Sequence, residues 1–276
     1  MRSKKADVFL KKPSMTTPEK SPVFSRADAL ALAAGAGLVI LTITQNNRRN
    51  FGEALLASTV FAVGGYVLRG VNFSGALAGF AVAFAFYATG AAPLFLLLFA
   101  AFLVTFIATQ IGRGRKVHLG IAEPARGRNA AQVMANLAVS GCCVAMSERF
   151  PHLLPAGIAA LAEACGDTTS SEIGEAFGKR PRMITSFDPA EPGTDGAISL
   201  VGTLAGLVGI AAVLFQVGSG WRVPMTIGAA ALVGTVVDSF LGATVERKRW
   251  IGNNLVNLCG TTAAAIVTLL LFAVAR

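Results

Sequence analysis

The sequence has few charged residues for its length. Only 14% of its 276 residues are charged, against about 25% in an average soluble domain. Another 54% are hydrophobic, so the chain has too little polar surface to coat a water-soluble globule. Its apolar residues form long runs, and a run of roughly 20 apolar residues is typical of a transmembrane helix. The composition therefore indicates an integral membrane protein.

Patterns that bind metals, form disulfides or recognise nucleic acid are also missing. His118 and His152 lie far apart in the sequence and have no metal-ligand spacing. The cysteines form no CxxC pair and are interpreted as small packing residues; they are Cys142, Cys143, Cys165 and Cys259. The net charge of +9 would suggest nucleic acid in a soluble protein. Here the basic residues lie in loops and in the first 26 residues, as the positive-inside rule explains, so no nucleic-acid partner is expected.

The apolar runs predict an all-α, polytopic transmembrane bundle of about seven to nine spans. Nine candidate spans are residues 27–44, 52–68, 74–88, 91–111, 130–147, 152–165, 197–217, 223–243 and 254–275. The second, third and sixth are the weakest as full crossings. Residues 27–276 form the membrane domain in this interpretation.

The distribution of basic residues predicts the orientation of the bundle. With nine crossings and a cytoplasmic N-terminus, the inner segments are 1–26, 69–73, 112–128, 166–196 and 245–252, and they hold 19 of the 24 Lys and Arg residues. This asymmetry favours that orientation. Residues 1–26 are predicted to be a basic, disordered cytoplasmic tail that touches anionic lipid. The expected location is the plasma membrane of a bacterium.

Two pairs of glycines have the four-residue spacing that allows close contact between helices in a membrane. They are Gly75 with Gly79, and Gly202 with Gly206. Both pairs are interpreted as packing positions.

A polar stretch interrupts the apolar chain at residues 165–182, CGDTTSSEIGEAFGKRPR. Thr169 and Glu172 have the spacing of a capping box, so a helix is expected to begin there, in a polar cytoplasmic loop. Asp167 is then either a helix cap or a metal-binding carboxylate. Carboxylates that bind Mg²⁺ beside cations that bind phosphate, here Lys179 and Arg180, suit phosphoryl transfer. The sequence is not a P-loop, because it has one residue too few between its glycines and no hydroxyl after the lysine.

Other polar residues are predicted at the same inner face. Arg128, Gln132 and Asn136 share one face of a helix, and either packing between helices or ligand contact explains them. Asp238 is an acid inside an apolar helix, which makes it a functional candidate. Asn254 and Asn257 share a face of the last span.

These motifs resemble a known family. GRNAAQVMAN, GDTTSSEIGEAFGKRPRMIT, GTDGAISLVGTLAG, VVDSFLGATVER and NNLVN occur in the order found in the integral membrane family of domain of unknown function 92. That family is similar to transmembrane protein 19 and to the plant phytyl-phosphate kinase of tocopherol synthesis. The resemblance covers residues from about 75 to 276, and GDT-x-x-SEIG is its most specific part.

The resemblance implies a kinase that transfers a phosphoryl group from CTP, or another nucleotide, to a prenyl monophosphate of the phytyl or geranylgeranyl type. Asp167 and Glu172 would bind Mg²⁺, with Lys179 and Asp238 as further catalytic residues. The remaining site residues would contact the nucleotide or the acceptor; they are Arg128, Asn129, Gln132, Asn136, Thr168, Ser171, Arg180, Asn254 and Asn257.

Two other functions remain open at this point. A transporter or channel would use the intramembrane polar residues to line a path. A CTP-dependent lipid cytidylyltransferase would release pyrophosphate and keep CMP on the lipid. The sequence leaves the oligomeric state open.

Overall fold

The computed structural model describes residues 25–46, 50–218 and 220–274, and these form a bundle of helices. The helices are α1 (Arg26–Gln45), α2 (Phe51–Val67), α3 (Phe73–Gln110), α4 (Arg113–Leu119), α5 (Ala130–Ala145), α6 (Leu153–Phe177), α7 (Leu200–Leu214), α8 (Arg222–Leu241) and α9 (Asn253–Val274). The all-α bundle is confirmed. The predicted tail, 1–26, lies outside the described residues apart from Ser25 and Arg26.

The lengths of the helices agree with a membrane protein. Four described segments are long and apolar enough to cross a membrane: Arg26–Gln45, Phe73–Gln110, Arg222–Glu246 and Asn253–Val274. The last turn of the third of these is a π-helix, Gly242–Glu246, that continues α8. Three described helices, α2, α5 and α7, are apolar but shorter.

The long α3 is a hairpin of two antiparallel halves. Its backbone leaves helical geometry at Gly90 and Ala91, shortly before Pro93. Phe73 packs on Tyr66 and Phe84 on Phe51, so the first half runs antiparallel to α2. Phe95 and Phe102 both pack on Phe61, and Phe106 lies next to Gly70, so the second half runs back beside α2. The structure thus agrees with two separate spans at residues 74–88 and 91–111.

The predicted helix start at Thr169 is wrong. α6 runs without interruption from Leu153 to Phe177, so the GDTTSSEIG sequence is helical and does not lie in a loop. Asp167 is therefore not a helix cap. Thr169 does not cap a helix either, since its hydroxyl donates to the carbonyl of Cys165, one turn earlier. The polar residues that looked like the start of a helix therefore lie within one long helix.

Small residues allow α6 and α7 to pack closely. A Cβ added at Gly206 would lie 3.0 Å from the carbonyl oxygen of Gly166 and 3.1 Å from Cβ of Ser170. One added at Gly202 would lie 2.8 Å from the carbonyl oxygen of Ser170. The packing interpretation is confirmed for Gly202 and Gly206, and for Gly75, whose added Cβ would clash with the backbone of Arg128. It is wrong for Gly79, where no described atom lies within 4 Å of an added Cβ.

We expect Gly206→Val to destabilise the bundle by about 1–3 kcal/mol, the usual cost of overpacking, because the two nearest atoms, the carbonyl oxygen of Gly166 and Cβ of Ser170, cannot rotate away. The measurement is the free energy of unfolding in detergent. Gly37→Val is the matched control, since an added Cβ at Gly37 in α1 meets no described atom within 4 Å. Equal stability of the two variants would contradict the close approach of α6 and α7.

The described parts of the predicted inner segments meet at one end of the bundle, here called the polar end. Asp28 of α1 accepts from the Ser74 hydroxyl and from the backbone of Ala131, which joins the starts of α1, α3 and α5. A short antiparallel ribbon at this end pairs β1 (Arg182–Met183) with β2 (Ala197–Ile198). At the opposite end, the side chain of Asn46 donates to the carbonyl of Ala145. The side of the membrane that the polar end faces stays a prediction.

Candidate active site

A cavity of about 380 Å³ opens at the polar end. Its walls come from residues 121–124 and 128, from α5, α6, α8 and α9, from Gly202 of α7, and from residues 181 and 192–199, which include strand β2 of the ribbon. Most of the site residues predicted from the sequence line it: Arg128, Gln132, Asn136, Asp167, Thr168, Ser171, Glu172, Asp238 and Asn257. The π-helix also reaches the cavity, through Gly242 and Glu246, and π-helical turns are frequent at functional sites.

Four predicted site residues are not among those lining the cavity: Asn129, Lys179, Arg180 and Asn254. Asn129 caps α5, since its side chain accepts from the backbone N–H of Gln132, whose side chain accepts from the N–H of Asn129. Lys179 and Arg180 follow the end of α6 and are exposed. The structure therefore does not bring to the cavity the two cations expected to neutralise phosphate.

Backbone pairing holds Arg128 at the edge of the cavity. The N–H of Arg128 donates to the carbonyl of Gly70 and its carbonyl accepts from the N–H of Asn72. This close approach requires glycine at two places. Gly127 has a φ of +79°, and a Cβ there would lie 2.6 Å from the carbonyl oxygen of Arg69; a Cβ at Gly75 would clash with Arg128.

The guanidinium of Arg128 lies among acceptors. Its Nε is 3.3 Å from Glu123 and its Nη2 is 3.8 Å from Glu172. Nη1 donates to the hydroxyl of Thr168 at 3.4 Å. The side chain is 23% exposed, so it remains accessible to a ligand in the cavity.

Lys116 is the important residue that sequence reasoning missed. It lies on α4, is 1% exposed, and its ammonium forms an ion pair with Glu172. It also donates to the carbonyl of Thr109, and the hydroxyl of Thr109 donates to Glu172 at 2.8 Å. In the sequence Lys116 looks like one more basic loop residue. The sequence hardly indicates its pairing, because its partner Glu172 is 56 residues further along the chain.

An amide network joins three helices, α5, α8 and α9, at the wall of the cavity. With its amide nitrogen facing α8, Asn257 donates to Oδ2 of Asp238 at 3.2 Å and accepts from Nδ2 of Asn136 at 3.0 Å. Asn136 also donates to the carbonyl of Gln132. The packing explanation for Asn136 is confirmed, because its amide links α5 to α9. Asn136 also lines the cavity, and its contact with a ligand stays a prediction. Asn257 orients the Asp238 carboxylate.

Another acid, Glu163, lies one turn before Asp167 and is buried between helices. It is 1% exposed, and its Oε1 has no hydrogen-bond partner among the described residues. Glycines make the space for it: a Cβ at Gly260 would lie 2.6 Å from Oε1, and one at Gly234 would lie 2.6 Å from Cγ. The region around Asp167 therefore has unused acceptor capacity.

Acids outnumber bases on the walls of the cavity. The carboxylates are Glu123, Asp167, Glu172, Glu175, Asp195, Asp238 and Glu246, and among the described lining residues Arg128 is the one base. Glu175 lies in the last turns of α6, beyond the apolar part of that helix. Burial and the neighbouring Glu172 raise the pKa of Glu175 to about 7. An excess of carboxylates suits a cationic ligand, or an anion that arrives with a metal.

The described residues do not form a complete metal site. No group of three or more His, Cys, Asp or Glu residues among them is arranged to hold a metal ion. Mg²⁺ does not need such a group, because it usually binds one or two carboxylates together with substrate phosphates and water. Asp167, which lines the cavity near the buried acceptor of Glu163, fits this kind of partial site. Glu172 fits less well, because Lys116 already pairs with it.

A second, apolar cavity of about 120 Å³ lies beside the first and is here called the chamber. Its walls come from α2, α3, α5 and α6 and include Phe61, Phe102 and Leu98. Both cavities are lined by Glu123, Pro124, Arg128, Gln132, Asn136 and Thr168. The Arg128 guanidinium thus lies where a polar cavity and an apolar one meet.

A family model described as integral membrane protein DUF92 matches residues 56–265. The chain belongs to this family. The predicted family is confirmed, and the match begins earlier than the expected residue 75. It includes all residues that line the two cavities.

Relatives of this DUF92 protein occur in plants and cyanobacteria. The chain is 29% identical over 269 residues to the chloroplastic protein VTE6 of Arabidopsis thaliana, covering 90% of this chain and 80% of VTE6. It is 32% identical to an uncharacterised membrane protein of Synechocystis, over 63% of this chain and 72% of that protein. It is 28% identical to protein PGR of Arabidopsis thaliana, over 77% of this chain and 85% of PGR. No solved structure matches the chain significantly.

Proposed function

We propose that this DUF92 protein is a membrane kinase for prenyl phosphates. It transfers a phosphoryl group from CTP, or another nucleoside triphosphate, to a phytyl- or geranylgeranyl-type monophosphate. The observation that carries the proposal is the position of Arg128, which lines both the polar cavity and the apolar chamber. An amphipathic lipid phosphate needs such a junction, with a cation for its head and apolar walls for its tail.

The resemblance to the plant phytyl-phosphate kinase supports the substrate class. The likeness to VTE6 extends over 90% of the chain, and the family match includes both cavities. A prenyl tail also gives a reason for a membrane bundle, because each buried CH₂ favours the lipid phase by about 0.8 kcal/mol.

The reaction needs no general base. An oxygen of the acceptor phosphate, already an anion, attacks the γ-phosphorus of the nucleotide. The bond from that phosphorus to the oxygen bridging to the β-phosphate breaks, and the nucleoside diphosphate leaves. Catalysis then consists mainly of positioning and charge stabilisation. The absence of a histidine from the residues lining the cavity is compatible with this chemistry.

The side chains of the cavity take separate roles in this proposal. Arg128 binds the acceptor phosphate, and Thr168 and Gln132 line the cavity beside it. Asp167 would hold Mg²⁺, whose chemistry at this place would be to stabilise negative charge during the transfer. Asn136 and Asn257 hold Asp238 in place through the amide network. Ser171 and residues 192–199, which line the cavity, contact the nucleotide in this proposal.

The proposal predicts phosphoryl transfer by the purified full-length chain. With CTP, Mg²⁺ and geranylgeranyl monophosphate, we expect the lipid diphosphate and CDP, measured by mass spectrometry. ATP and GTP are parallel arms, because the choice of nucleotide is part of the proposal. If prenyl monophosphates of several lengths stay unreacted with all three nucleotides, the kinase is excluded.

The same assay separates the kinase from the other functions. A cytidylyltransferase would release pyrophosphate from CTP and leave CMP on the lipid, so the appearance of pyrophosphate would replace the kinase by that reaction. A transporter would move solute across proteoliposomes without nucleotide. The polar cavity lies at one end of the bundle, which favours an enzyme over a path through the midplane. The proposal also locates the protein in a bacterial plasma membrane, with this end of the bundle in the cytoplasm, where nucleotides are.

A further inference from the structure

One glycine leaves open space in the wall of the chamber. Gly79 lies in the first half of α3 and lines the chamber, and no described atom comes within 4 Å of a Cβ added there. Its partner in the four-residue spacing, Gly75, is in contact with the Arg128 backbone. Gly75 is thus explained by packing, whereas Gly79 is not.

We infer that the chamber binds the hydrocarbon tail of a single-chain lipid monophosphate and that Gly79 is a specificity-determining residue that leaves room for this tail. The inference rests on the proposed function for the identity of the phosphate-bearing lipid. It adds the location of the tail and a residue that controls the length of tail accepted.

The shape and chemistry of the chamber support this occupant. Its lining follows the second half of α3 from Leu98 to Gln110, a distance of about 18 Å at 1.5 Å per residue. Where the chamber meets the polar end of the bundle, its lining includes Arg69, Arg113 and Arg128. Further along, the walls are Phe61, Leu98, Leu161 and other apolar side chains. A phosphate at the basic end would therefore direct its tail along apolar walls.

The position of Arg128 favours a lipid with a single hydrocarbon tail. Among the described residues it is the one base that lines both cavities. A monoester phosphate can bind there while its oxygen faces the polar cavity and its tail enters the chamber. A diester or a two-chain lipid would have to place additional bulk at this junction.

The test is binding of geranylgeranyl monophosphate, without nucleotide, to the full chain in lipid nanodiscs. We expect Gly79→Leu to weaken this binding at least about tenfold, because the new side chain occupies apolar space that the tail would fill. For the five-carbon isopentenyl monophosphate we expect a change below about twofold, since so short a tail buries little surface. Gly37→Leu is the matched control, since its Cβ also meets no described atom within 4 Å and it lies on α1, away from both cavities. It should bind like the wild type.

Unchanged binding by Gly79→Leu would overturn the inference, as would binding of dioleoyl phosphatidic acid at least as tight as that of the prenyl phosphate. Wild-type protein that fails to bind the prenyl phosphate would overturn it too.

Should Gly79→Leu fail to fold, a diazirine-bearing geranylgeranyl monophosphate can be photocrosslinked to the wild type. Labelling of chamber-lining residues such as Phe61, Phe102 and Leu161 is then expected, and labelling confined to residues outside the chamber contradicts the inference. Binding with the predicted length dependence but no transfer from any nucleotide would remove the kinase alone.

Discussion

Asp167→Asn is expected to lower phosphoryl transfer by at least about 100-fold, the scale found when one group that stabilises transition-state charge is removed from a water-excluded site. The substitution keeps the shape of the side chain but removes the negative charge proposed to bind Mg²⁺. Asp167 lies in the middle of α6 and lines the polar cavity. The measurement is the rate of lipid diphosphate formation at saturating CTP and Mg²⁺.

Asp188→Asn is the matched control for this change. Asp188 is exposed in the segment between the two strands of the ribbon and is not among the cavity-lining residues. It should keep the wild-type rate. The thermal midpoint of Asp167→Asn should stay near that of the wild type, which would show that lost activity does not reflect lost folding. A rate for Asp167→Asn equal to that of the control would rule out Asp167 as the metal ligand.

Lys116→Met is expected to destabilise the protein by about 3–5 kcal/mol, because it removes the closer cation from a buried carboxylate and leaves only the Arg128 guanidinium, 3.8 Å away. Lys116 and Glu172 have side chains that are 1% and 7% exposed. Methionine keeps most of the volume and the flexibility of the lysine chain, so the lost charge is the main change. The free energy of unfolding in detergent measures the effect, and a loss below 1 kcal/mol, the size of a surface ion pair, would contradict it.

The double variant Lys116→Met with Glu172→Met separates two roles for Glu172. Replacing both members of a buried pair by apolar residues is often neutral for stability, so the double variant should recover most of the stability lost by Lys116→Met. Its kinase rate then reports on the predicted metal role of Glu172. A stable double variant with the wild-type rate would show that Glu172 serves only to hold α4 against α6. A stable but inactive one would support a contact between Glu172 and the metal or nucleotide.

The hairpin of α3 shows how far sequence reasoning reaches in a membrane protein. The sequence predicted two spans at 74–88 and 91–111, and the structure breaks helical geometry at Gly90 and Ala91. The length of the apolar segment made this possible, because 38 residues far exceed the roughly 20 that cross a bilayer. Pro93 adds a local reason for the break, since it has no N–H to donate to the carbonyl four residues earlier and its ring would clash with that carbonyl in a continuous helix.

The error at α6 has a physical cause. A run such as Asp167, Thr168, Thr169 and Glu172 is typical of a helix start in water, where free N–H groups need side-chain acceptors. In the structure these polar side chains find other partners. Arg128 reaches Thr168, and Lys116 neutralises Glu172. Both bases come from segments far away in the sequence, so local rules could not show that the helix continues.

The sequence by itself determined the class of the protein, the approximate positions of its spans and nine of the residues that line the polar cavity. These follow from the length of apolar runs and from the cost of placing polar residues in lipid, which both act locally along the chain. The tertiary structure alone decided that Lys116 pairs with Glu172, that Lys179 and Arg180 lie outside the cavity, and that Arg128 lines both cavities. Those features depend on the packing of distant helices, because the charge and space around a side chain come from neighbours that the sequence does not place beside it.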